Sequence, residues 1–524
     1  MAPLEKLDGP ASVNTEPKSK NNVPLVFTSL MLGMLLVSLG QTIFATALPT
    51  VVGELGGVDQ QSWVITAFLL AQTIGLPIYG KLGDQIGRKP LFIFALSMYL
   101  VGSVIGALGQ SIWMIIAARA VQGLGGGGMM VLSQAIIADI VPARQRGKYM
   151  GLIGSVFGFS SVLGPLLGGF FTDGPGWRWA LWFNVPLALV AIIIAVVSMH
   201  LPARGSGKAR LDIWGTVFMA GFATSLILAI TCGGNDYEWG SPTIIGLLIA
   251  CVACAVVFVL VELKADQPLI PMELFRNRNF VLCTLAGLLV GVMMLGTLSY
   301  MPTYIQMVHG MSPTKAGLLM IPMVLGMMPT SVVLGIVVSR TGRYKWYPVI
   351  GMAISAVGLF LLGQLETHDS LVHLGIVLYI FGFGLGCVMQ LLVLIVQNAF
   401  PVSMVGTATA SNNFFRQIGM SIGSAVVGSV FTSRLSQNMG DRVPGALQEM
   451  GPDAAEYADT FSGSGSASLT PDTVVHLPEV LHEAVITSYN DALVPIFTVL
   501  APLAVIAAVI LLFNREEKLK ETVE

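Results

Sequence analysis

The chain of 524 residues carries fourteen apolar runs, each long enough for a membrane helix. About 20 apolar residues in a helix cover the roughly 30 Å hydrocarbon core of a bilayer. The runs therefore predict an all-α membrane protein with 14 transmembrane helices. The candidate spans are approximately 24-48, 61-81, 90-109, 112-138, 149-172, 179-201, 213-234, 241-262, 280-308, 315-338, 346-365, 371-397, 405-433 and 490-513.

Composition supports a chain that contacts the lipid bilayer. Hydrophobic residues make up 54% of the sequence and charged residues 11%, and the mean hydropathy is +0.78. A soluble chain has about 25% charged residues, so we expect a multi-pass protein of the plasma membrane and no nucleic-acid partner. The first 22 residues are polar and lack an apolar core followed by a small-residue cleavage site, so we expect no cleaved signal peptide.

The distribution of Lys and Arg predicts the orientation. Basic residues concentrate in alternate loops, whereas the other loops hold mainly acids, and Lys and Arg favour the cytoplasmic side. Both termini are therefore predicted to be cytoplasmic. The basic residues assigned to cytoplasmic loops are Arg88, Lys89, Arg144, Arg146, Lys148, Arg204, Lys208, Arg210, Lys264, Arg276, Arg278, Arg340, Arg343 and Lys345.

A polar turn occurs twice along the chain. Residues 80–90 contain three glycines and four charges between two apolar runs, and residues 335–345 keep the same spacing from the first glycine to a Gly-Arg pair. The first copy joins helices two and three, and the second joins helices ten and eleven. This pattern is typical of transporters built from two related halves.

Motifs along the chain carry a resemblance to a known family. Residues 80–90 resemble the signature loop of the major facilitator superfamily, Gly-x-Leu-x-Asp-x-x-Gly-Arg-Lys. The segment 119–123 is similar to the family's Arg-x-x-Gln-Gly motif on helix four, and residues 164–169 are similar to the Gly-Pro-x-x-Gly-Gly motif of antiporters on helix five. Residues 177–186 and 212–215 narrow the resemblance to fourteen-helix drug:proton antiporters of the EmrB/QacA type.

The resemblance implies a major facilitator fold, with two six-helix bundles plus two inserted helices. A segment at 434-488, with eight acidic residues and a Ser-Gly run, is predicted to be a partly disordered extracellular loop. The expected divisions are a cytoplasmic tail at 1-22, the N-terminal bundle at 23-202, the inserted pair at 203-264, the C-terminal bundle at 265-513 including that loop, and a cytoplasmic tail at 514-524.

The turn at 80–90 is interpreted as a conformational switch. Asp84 can approach the positive N-terminus of another helix, and Arg88 can reach Asp139 at the end of helix four. Ordinary positive-inside charges are the alternative, but topology alone does not require the glycine spacing. The proposed switch residues are Gly80, Asp84, Gly87, Arg88, Lys89 and Asp139.

Charged residues inside membrane helices are costly, so Arg119 and Arg416 are predicted to face the bundle interior with partners. The resemblance implies proton coupling for Arg119, and a structural clamp on neighbouring carbonyls is the alternative. The family's helix-one acid is replaced by Gly40. Glu54 and Glu262, near span ends, complete the candidates for proton coupling.

Helix five carries a face of small residues and a proline that removes a backbone hydrogen bond. A sliding interface or static packing would both use such a face. Its motif residues are Gly151, Gly164, Pro165, Gly168 and Gly169. Flexible Met, aromatic and amide side chains suit a cavity for varied apolar ligands. The cavity candidates are Gln41, Met129, Met130, Phe157, Met293, Met294, Tyr300, Tyr304, Gln390 and Asn413.

These features favour a monomeric exporter of lipophilic small molecules that works by alternating access in exchange for protons. Export of an endogenous lipid or cell-envelope precursor is the alternative, and a non-transporting sensor or scaffold is disfavoured because no sizeable cytoplasmic domain is evident. No Ser-His pair, paired carboxylates or metal-ligand set occurs at membrane depth, so we expect neither an enzyme nor a cofactor.

Overall fold

The structure, a computed structural model, describes residues 22–55, 60–201, 211–234, 237–450, 457 and 471–521. Its architecture is helical. The α-helices are α1 (Val23–Leu55), α2 (Gln61–Ile86), α3 (Arg88–Ala107), α4 (Ile112–Ile140), α5 (Ala143–Asp173), α6 (Arg178–Ser198), α7 (Ile213–Cys232), α8 (Pro242–Glu262), α9 (Arg278–Val308), α10 (Pro313–Leu319), α11 (Ile321–Thr341), α12 (Trp346–Leu362), α13 (Leu371–Asn398), α14 (Val405–Met450), α15 (Pro471–Val475) and α16 (Glu479–Leu512).

Apolar helix length confirms the prediction of a polytopic membrane protein. In the described ranges, thirteen helical segments are long and apolar enough to cross a membrane, with α10 and α11 counted together as Thr314–Thr341. A shorter apolar helix, α12, matches the remaining predicted span. Each of the fourteen predicted spans therefore has a helical counterpart.

Short polar residues mark the start of several helices. The side chains of Ser111, Asp212, Ser241 and Ser370 accept hydrogen bonds from backbone N–H groups three residues later. These bonds satisfy donors that the first helical turn leaves without a partner. Asp212 thereby has a structural role as the N-cap of α7, with its Oδ1 2.9 Å from the nitrogen of Gly215.

The helices pack into two groups with a pair beside them. In the first bundle, α1 to α6, α4 packs on α2 and α3, while α6 packs on α1 and α3. In the second bundle, α9, α11 to α14 and α16, α14 packs on α9 and α16, while α13 packs on α11 and α12. The bundles meet where α5 packs against α11 and α2 against α14. Helices α7 and α8 pack on each other, and α7 contacts α2 and α14.

The segment 434-488 differs from the predicted loop. Helix α14 has 46 residues and continues to Met450, and α16 already begins at Glu479. Buried Met439, Val443 and Ala446 form one apolar face of the α14 extension, and the Nδ2 of Asn438 donates to the carbonyl of Ser488 in α16. The two ends of the segment are therefore a helical pair, while its Ser-Gly run at 462–466 lies outside the described residues.

Candidate functional site

The end of the bundles at which α2 and α3 meet, here called the α2–α3 end, is held by Asp84. Its Oδ1 accepts from the backbone nitrogen of Gly406 at 3.1 Å, and its Oδ2 accepts from the nitrogen and hydroxyl of Thr407 at 2.7 and 2.9 Å. Gly406 and Thr407 open α14, so the carboxylate caps a positive helix terminus. A side chain of the first bundle thereby holds a helix of the second.

Arg88 links that carboxylate to the rest of the first bundle. Its guanidinium forms ion pairs of 2.8 Å with both Asp84 and Asp139, whose side chains are only 6% and 4% exposed. It also donates to the carbonyls of Ala135 and, at 3.1 Å, Val402. Removing one partner from a buried ion pair costs about 3 to 5 kcal/mol because the other charge stays buried. The four contacts therefore form one coupled unit, the Asp84–Arg88–Asp139 cluster.

The remaining residues of this turn position the cluster. Gly80 lies against α14, and a Cβ built there would overlap the Ala410 side chain and lie 2.8 Å from the Gly406 carbonyl oxygen. Gly87 has φ +100°, a conformation that favours glycine. The ammonium of Lys89 donates to the carbonyls at the end of α6, Val196 and Met199, at 2.8 and 2.7 Å.

Helix α5 contacts the second bundle in its first half and α1 in its second half. A Cβ at Gly151 would lie 2.5 Å from the Ser331 carbonyl oxygen of α11, so the two backbones are in close approach there. Cβ atoms at Gly164 and Gly168 would collide with Thr42 and Thr46 of α1. Pro165 approaches Gly317 of α10. Gly169 has open space around it.

A cavity of about 410 Å³ lies between the two bundles. The cavity lies at the middle of the helices and in the half of the molecule farther from the α2–α3 end. Residues 65 to 72 of α2 and 294 to 299 of α9 show this position. Apolar atoms dominate the cavity lining. The lining residues are Ser38, Gln41, Thr42, Phe44, Ala45, Ile65, Phe68, Leu69, Gln72, Arg119, Met130, Phe157, Ser161, Met294, Leu295, Leu298, Ser299, Met320, Met323, Val324, Met327, Met389, Arg416, Gln417, Met420 and Ser424.

Four of the ten predicted cavity residues, Gln41, Met130, Phe157 and Met294, belong to this lining. Met129 and Met293 are buried in the core, and the next residue of each helix lines the cavity instead, because one helical position turns a side chain by about 100°.

The side chains of the four other candidates contact neighbouring helices. The hydroxyl of Tyr300 donates to the Ser424 carbonyl at 3.1 Å, and that of Tyr304 donates to Asn490 at 2.8 Å. Asn413 donates to Gln134 of α4 at 2.7 Å. Gln390 packs against α5, where a Cβ at Gly154 would lie 3.0 Å from its side chain.

Arg119 projects into the cavity from α4. Its guanidinium lies over the rings of Phe44 and Phe68, 4.7 and 4.2 Å from their centroids. One Nη donates to Gln122 at 3.1 Å, and Gln122 donates in turn to Ser103 at 2.8 Å. The contacts that hold the arginine are therefore aromatic and amide groups.

Arg416 approaches the same cavity from α14. Its Nη2 donates to the Oδ1 of Asn413 at 2.6 Å, and Asn413 donates to Gln134 of the first bundle. No Asp or Glu belongs to the cavity lining in the part of the chain that the structure describes. Two guanidinium groups thus face the cavity without a carboxylate beside them in that lining.

The two glutamates considered for proton coupling lie away from the cavity. Glu54, at the opposite end from Asp84, accepts from the indole of Trp177 at 2.7 Å and pairs with Arg178 at 2.6 Å. Glu262 accepts from the backbone nitrogens of Leu269 and Ile270, each at 3.1 Å. Both carboxylates therefore hold turns in place. From the sequence, a glutamate near the end of a span could serve either this structural role or proton coupling.

Gly40, where the resemblance implies an acid on helix one, faces α3. A Cβ built at Gly40 would overlap the hydroxyl of Tyr99, which donates to the Leu36 carbonyl at 2.7 Å. The next residue, Gln41, lines the cavity and donates to Gln72 at 3.1 Å. An acid at residue 40 would therefore need Tyr99 to move.

Residues 514–521, which belong to the predicted cytoplasmic tail at 514-524, cross the α2–α3 end. Tyr344, between α11 and α12, accepts from the nitrogen of Glu517 at 2.7 Å, and Asn398 accepts from that of Lys520 at 3.4 Å. Burial raises the pKa of Tyr344 to about 12, so its hydroxyl stays protonated. Arg144 of α5 pairs with Glu521. The alternating charges of this short segment do not indicate which residues it contacts, so the sequence did not predict these contacts.

Comparisons with known proteins agree with this geometry. The Major Facilitator Superfamily model matches residues 30–424. An uncharacterised MFS-type transporter of Mycobacterium tuberculosis is 37% identical over 499 residues, which cover 95% of this chain and 70% of that protein. Multidrug resistance protein 3 of Bacillus subtilis is 31% identical over 516 residues, covering 98% and 99% of the two chains.

A solved structure has the same fold. The human organic anion transporter MFSD10 superposes with a TM-score of 0.61 at 17% identity, covering 94% of this chain and 99% of that one. This identity supports the fold alone. The family model covers most of the chain, and the paired bundles and the Asp84–Arg88–Asp139 cluster agree with it. The chain belongs to the major facilitator superfamily.

Proposed function

We propose that this protein is a multidrug-type efflux transporter that exports lipophilic compounds across the plasma membrane by alternating access. The observation that carries the proposal is the apolar cavity of about 410 Å³ between two bundles that contact each other at the α2–α3 end. Pockets of this size suit drug-sized ligands. The multidrug name of its Bacillus subtilis relative supports the same class of substrate.

The bundles at 23-202 and 265-513 are proposed as the two bodies that move, with 203-264 as an inserted pair. The cluster around Asp84 supports a conformation closed at the α2–α3 end. With that end cytoplasmic, as the basic loops indicate, the cavity would next exchange substrate with the outside. Alternating access then requires the contacts of Asp84 with Gly406 and Thr407 to break and reform.

Exchange for protons and function as a monomer belong to the same proposal. Arg119 and Arg416 line the cavity, and neither is balanced by a carboxylate of that lining. The acids nearest to the bundle interface in the contacts described above are Asp84 and Asp139. We therefore place the titrating groups of proton exchange at these acids rather than at Glu54 or Glu262, with the permanently charged Arg119 and Arg416 influencing them electrostatically.

Dye accumulation tests the function directly. Cells that express the protein should retain less of a neutral lipophilic dye than cells that lack it, and a protonophore should remove the difference. Equal accumulation in both cells would contradict export, and a difference that survives the protonophore would contradict proton exchange. An altered envelope lipid profile without any dye efflux would favour the lipid exporter instead.

Cysteine labelling tests the orientation. Glu366, between α12 and α13, and Lys264, after α8, are both exposed and lie at opposite ends of the molecule. In a background without the five native cysteines, Glu366→Cys should react with an impermeant maleimide on intact cells, and Lys264→Cys only after lysis. The reverse pattern would invert the topology.

A further inference from the structure

The charge of the cavity lining points to a class of substrate. Arginine is permanently protonated in proteins, so Arg119 and Arg416 place two positive charges in one cavity. The described lining contains no carboxylate. A charge at membrane depth is costly unless a partner or water compensates it. An anionic group in the cavity would supply the missing compensation.

Other buried arginines of the chain show how different these two are. Arg88 pairs with two carboxylates, and Arg146 donates to the carbonyls of Ala138 and Val141, both at 2.8 Å. Arg416 has five N–H bonds, of which one meets Asn413. The Nε of Arg119 is buried without a hydrogen-bond partner. Arg119 and Arg416 therefore have more N–H donors than the protein acceptors that contact them.

The aromatic groups of the cavity do not favour a cationic ligand. Cations bind over the faces of aromatic rings, and the lining has three such rings, at Phe44, Phe68 and Phe157. Arg119 itself covers the first two. An organic cation would meet neither a carboxylate nor a free pair of ring faces, and it would be repelled by both guanidinium groups.

The rest of the lining accepts the apolar body of a ligand. Seven methionines line it, and their flexible thioethers adapt to ligands of different shape. These residues are Met130, Met294, Met320, Met323, Met327, Met389 and Met420. A charged group at the arginines and an apolar body against the methionines together describe a lipophilic anion.

We propose that the cavity selects amphipathic anions, with the carboxylate or sulfonate of the ligand bound by Arg416 and Arg119. The inference rests on the proposed function, because it takes this cavity as the transport site. Bidentate hydrogen bonds between guanidinium and carboxylate supply geometry as well as charge. A neutral analogue should bind less tightly, and a cationic analogue least tightly.

Equilibrium binding of three matched probes tests this proposal without requiring transport. Dansylglycine carries a carboxylate, dansylamide is neutral, and dansylcadaverine carries an ammonium group on the same fluorophore. Fluorescence titrations use the full chain in nanodiscs of phosphatidylcholine, with empty nanodiscs subtracted. Dansylglycine should bind about tenfold more tightly than dansylamide, since a charge-assisted hydrogen bond contributes on that order.

Variants separate charge in the cavity from general damage. Arg416→Gln should lose most of the preference for dansylglycine, whereas Arg416→Lys keeps the charge and should retain part of it. Arg146→Gln is the matched control, because it removes a buried arginine that does not line the cavity. Its preference should equal that of the parent, and thermal unfolding identifies any variant that no longer folds.

The outcomes distinguish this inference from the proposed function. Absence of saturable dansylglycine binding, or equal or tighter binding of dansylcadaverine, would overturn the anion preference even if dyes are exported. Anion preference without export would leave the inference intact and contradict the proposed function. Competition by phosphatidylglycerol placed in the nanodiscs would support the anion class and identify an anionic lipid as the occupant.

Discussion

Buried arginines are neutralised differently in two regions of the molecule. At the α2–α3 end, Arg88 lies between Asp84 and Asp139 at 2.8 Å from each. In the cavity, Arg119 and Arg416 contact rings and amide oxygens. Charges that are paired within the protein hold one conformation, whereas charges without an internal counter-ion leave their electrostatic compensation to a ligand. We propose that this difference separates a gate at the α2–α3 end from a binding site in the cavity.

Breaking the paired region should have the largest effect. Asp84→Asn removes the charge that holds the first turn of α14, and Arg88→Ala leaves two carboxylates unpaired. Each lost charge-assisted contact costs about 1.5 to 3 kcal/mol, enough to shift a two-state balance tenfold or more. We expect dye efflux to fall below about a tenth of the parent rate for both variants.

The control for this prediction is Asp266→Asn, which removes an exposed acid at the same end of the molecule. Membrane content should be equal for all variants, because their apolar surfaces are unchanged. Normal efflux by Asp84→Asn and Arg88→Ala would reduce the buried cluster to a topology signal and remove one side of the comparison.

Adding an acid to the cavity tests the other side. Gln41 lines the cavity on α1, so Gln41→Glu would give the arginines a counter-charge from the protein. Dansylglycine affinity should fall about tenfold, since the acid competes for the same donors. Gly40→Asp is the positional control, because its side chain would meet Tyr99 and not the cavity. An equal loss of affinity in both variants, with equal thermal stability, would show that the effect is not local to the cavity.

How far the sequence predicted these two regions depends on the range of the interactions. Span length and the glycine and charge spacing at 80–90 are local properties, so the helices and the polar turn could be anticipated. The span ends also placed Arg88 and Asp139 at the same end of the molecule, which made their approach an expectation. Helix rotation depends on tertiary packing. For this reason the sequence suggested both members of the pairs Met129/Met130 and Met293/Met294, and the packing of the helices decides that Met130 and Met294 line the cavity.

Composition also misled the interpretation of 434-488. Its acidic residues and its Ser-Gly run are typical of loops, yet Met439, Val443 and Ala446 recur at helical spacing and form a buried face. The same extension contacts α16, where Asn438 donates to the carbonyl of Ser488. A search for apolar residues at helical spacing within the polar segment would have predicted the helical extension. A short apolar stripe is enough to stabilise a helix when a neighbouring helix covers it.

Backbone contact between the bundles should have an intermediate effect. Gly151 approaches α11 so closely that Gly151→Leu must push α5 and α11 apart. We expect about fivefold slower efflux and a longer distance between spin labels on the two helices at the α2–α3 end, since overpacking costs about 1 to 3 kcal/mol. Gly169→Ala, on the same helix in open space, should leave both measurements unchanged. Equal efflux in the two variants would indicate that this contact is static packing.

The smallest effect is expected from an exposed pair at the same end. Glu521→Gln removes the ion pair with Arg144. The side chain of Glu521 is 60% exposed and that of Arg144 is 41% exposed. Exposed ion pairs contribute about 0 to 1 kcal/mol, because solvent and salt screen them. Efflux should therefore change less than about twofold, and less still at high salt. A loss as large as that of Arg88→Ala would mean that residues 514–521 hold the bundles together as strongly as the buried cluster does. Closure of this end would then depend on the terminal segment, and burial of the charges would no longer explain why one ion pair matters more than another.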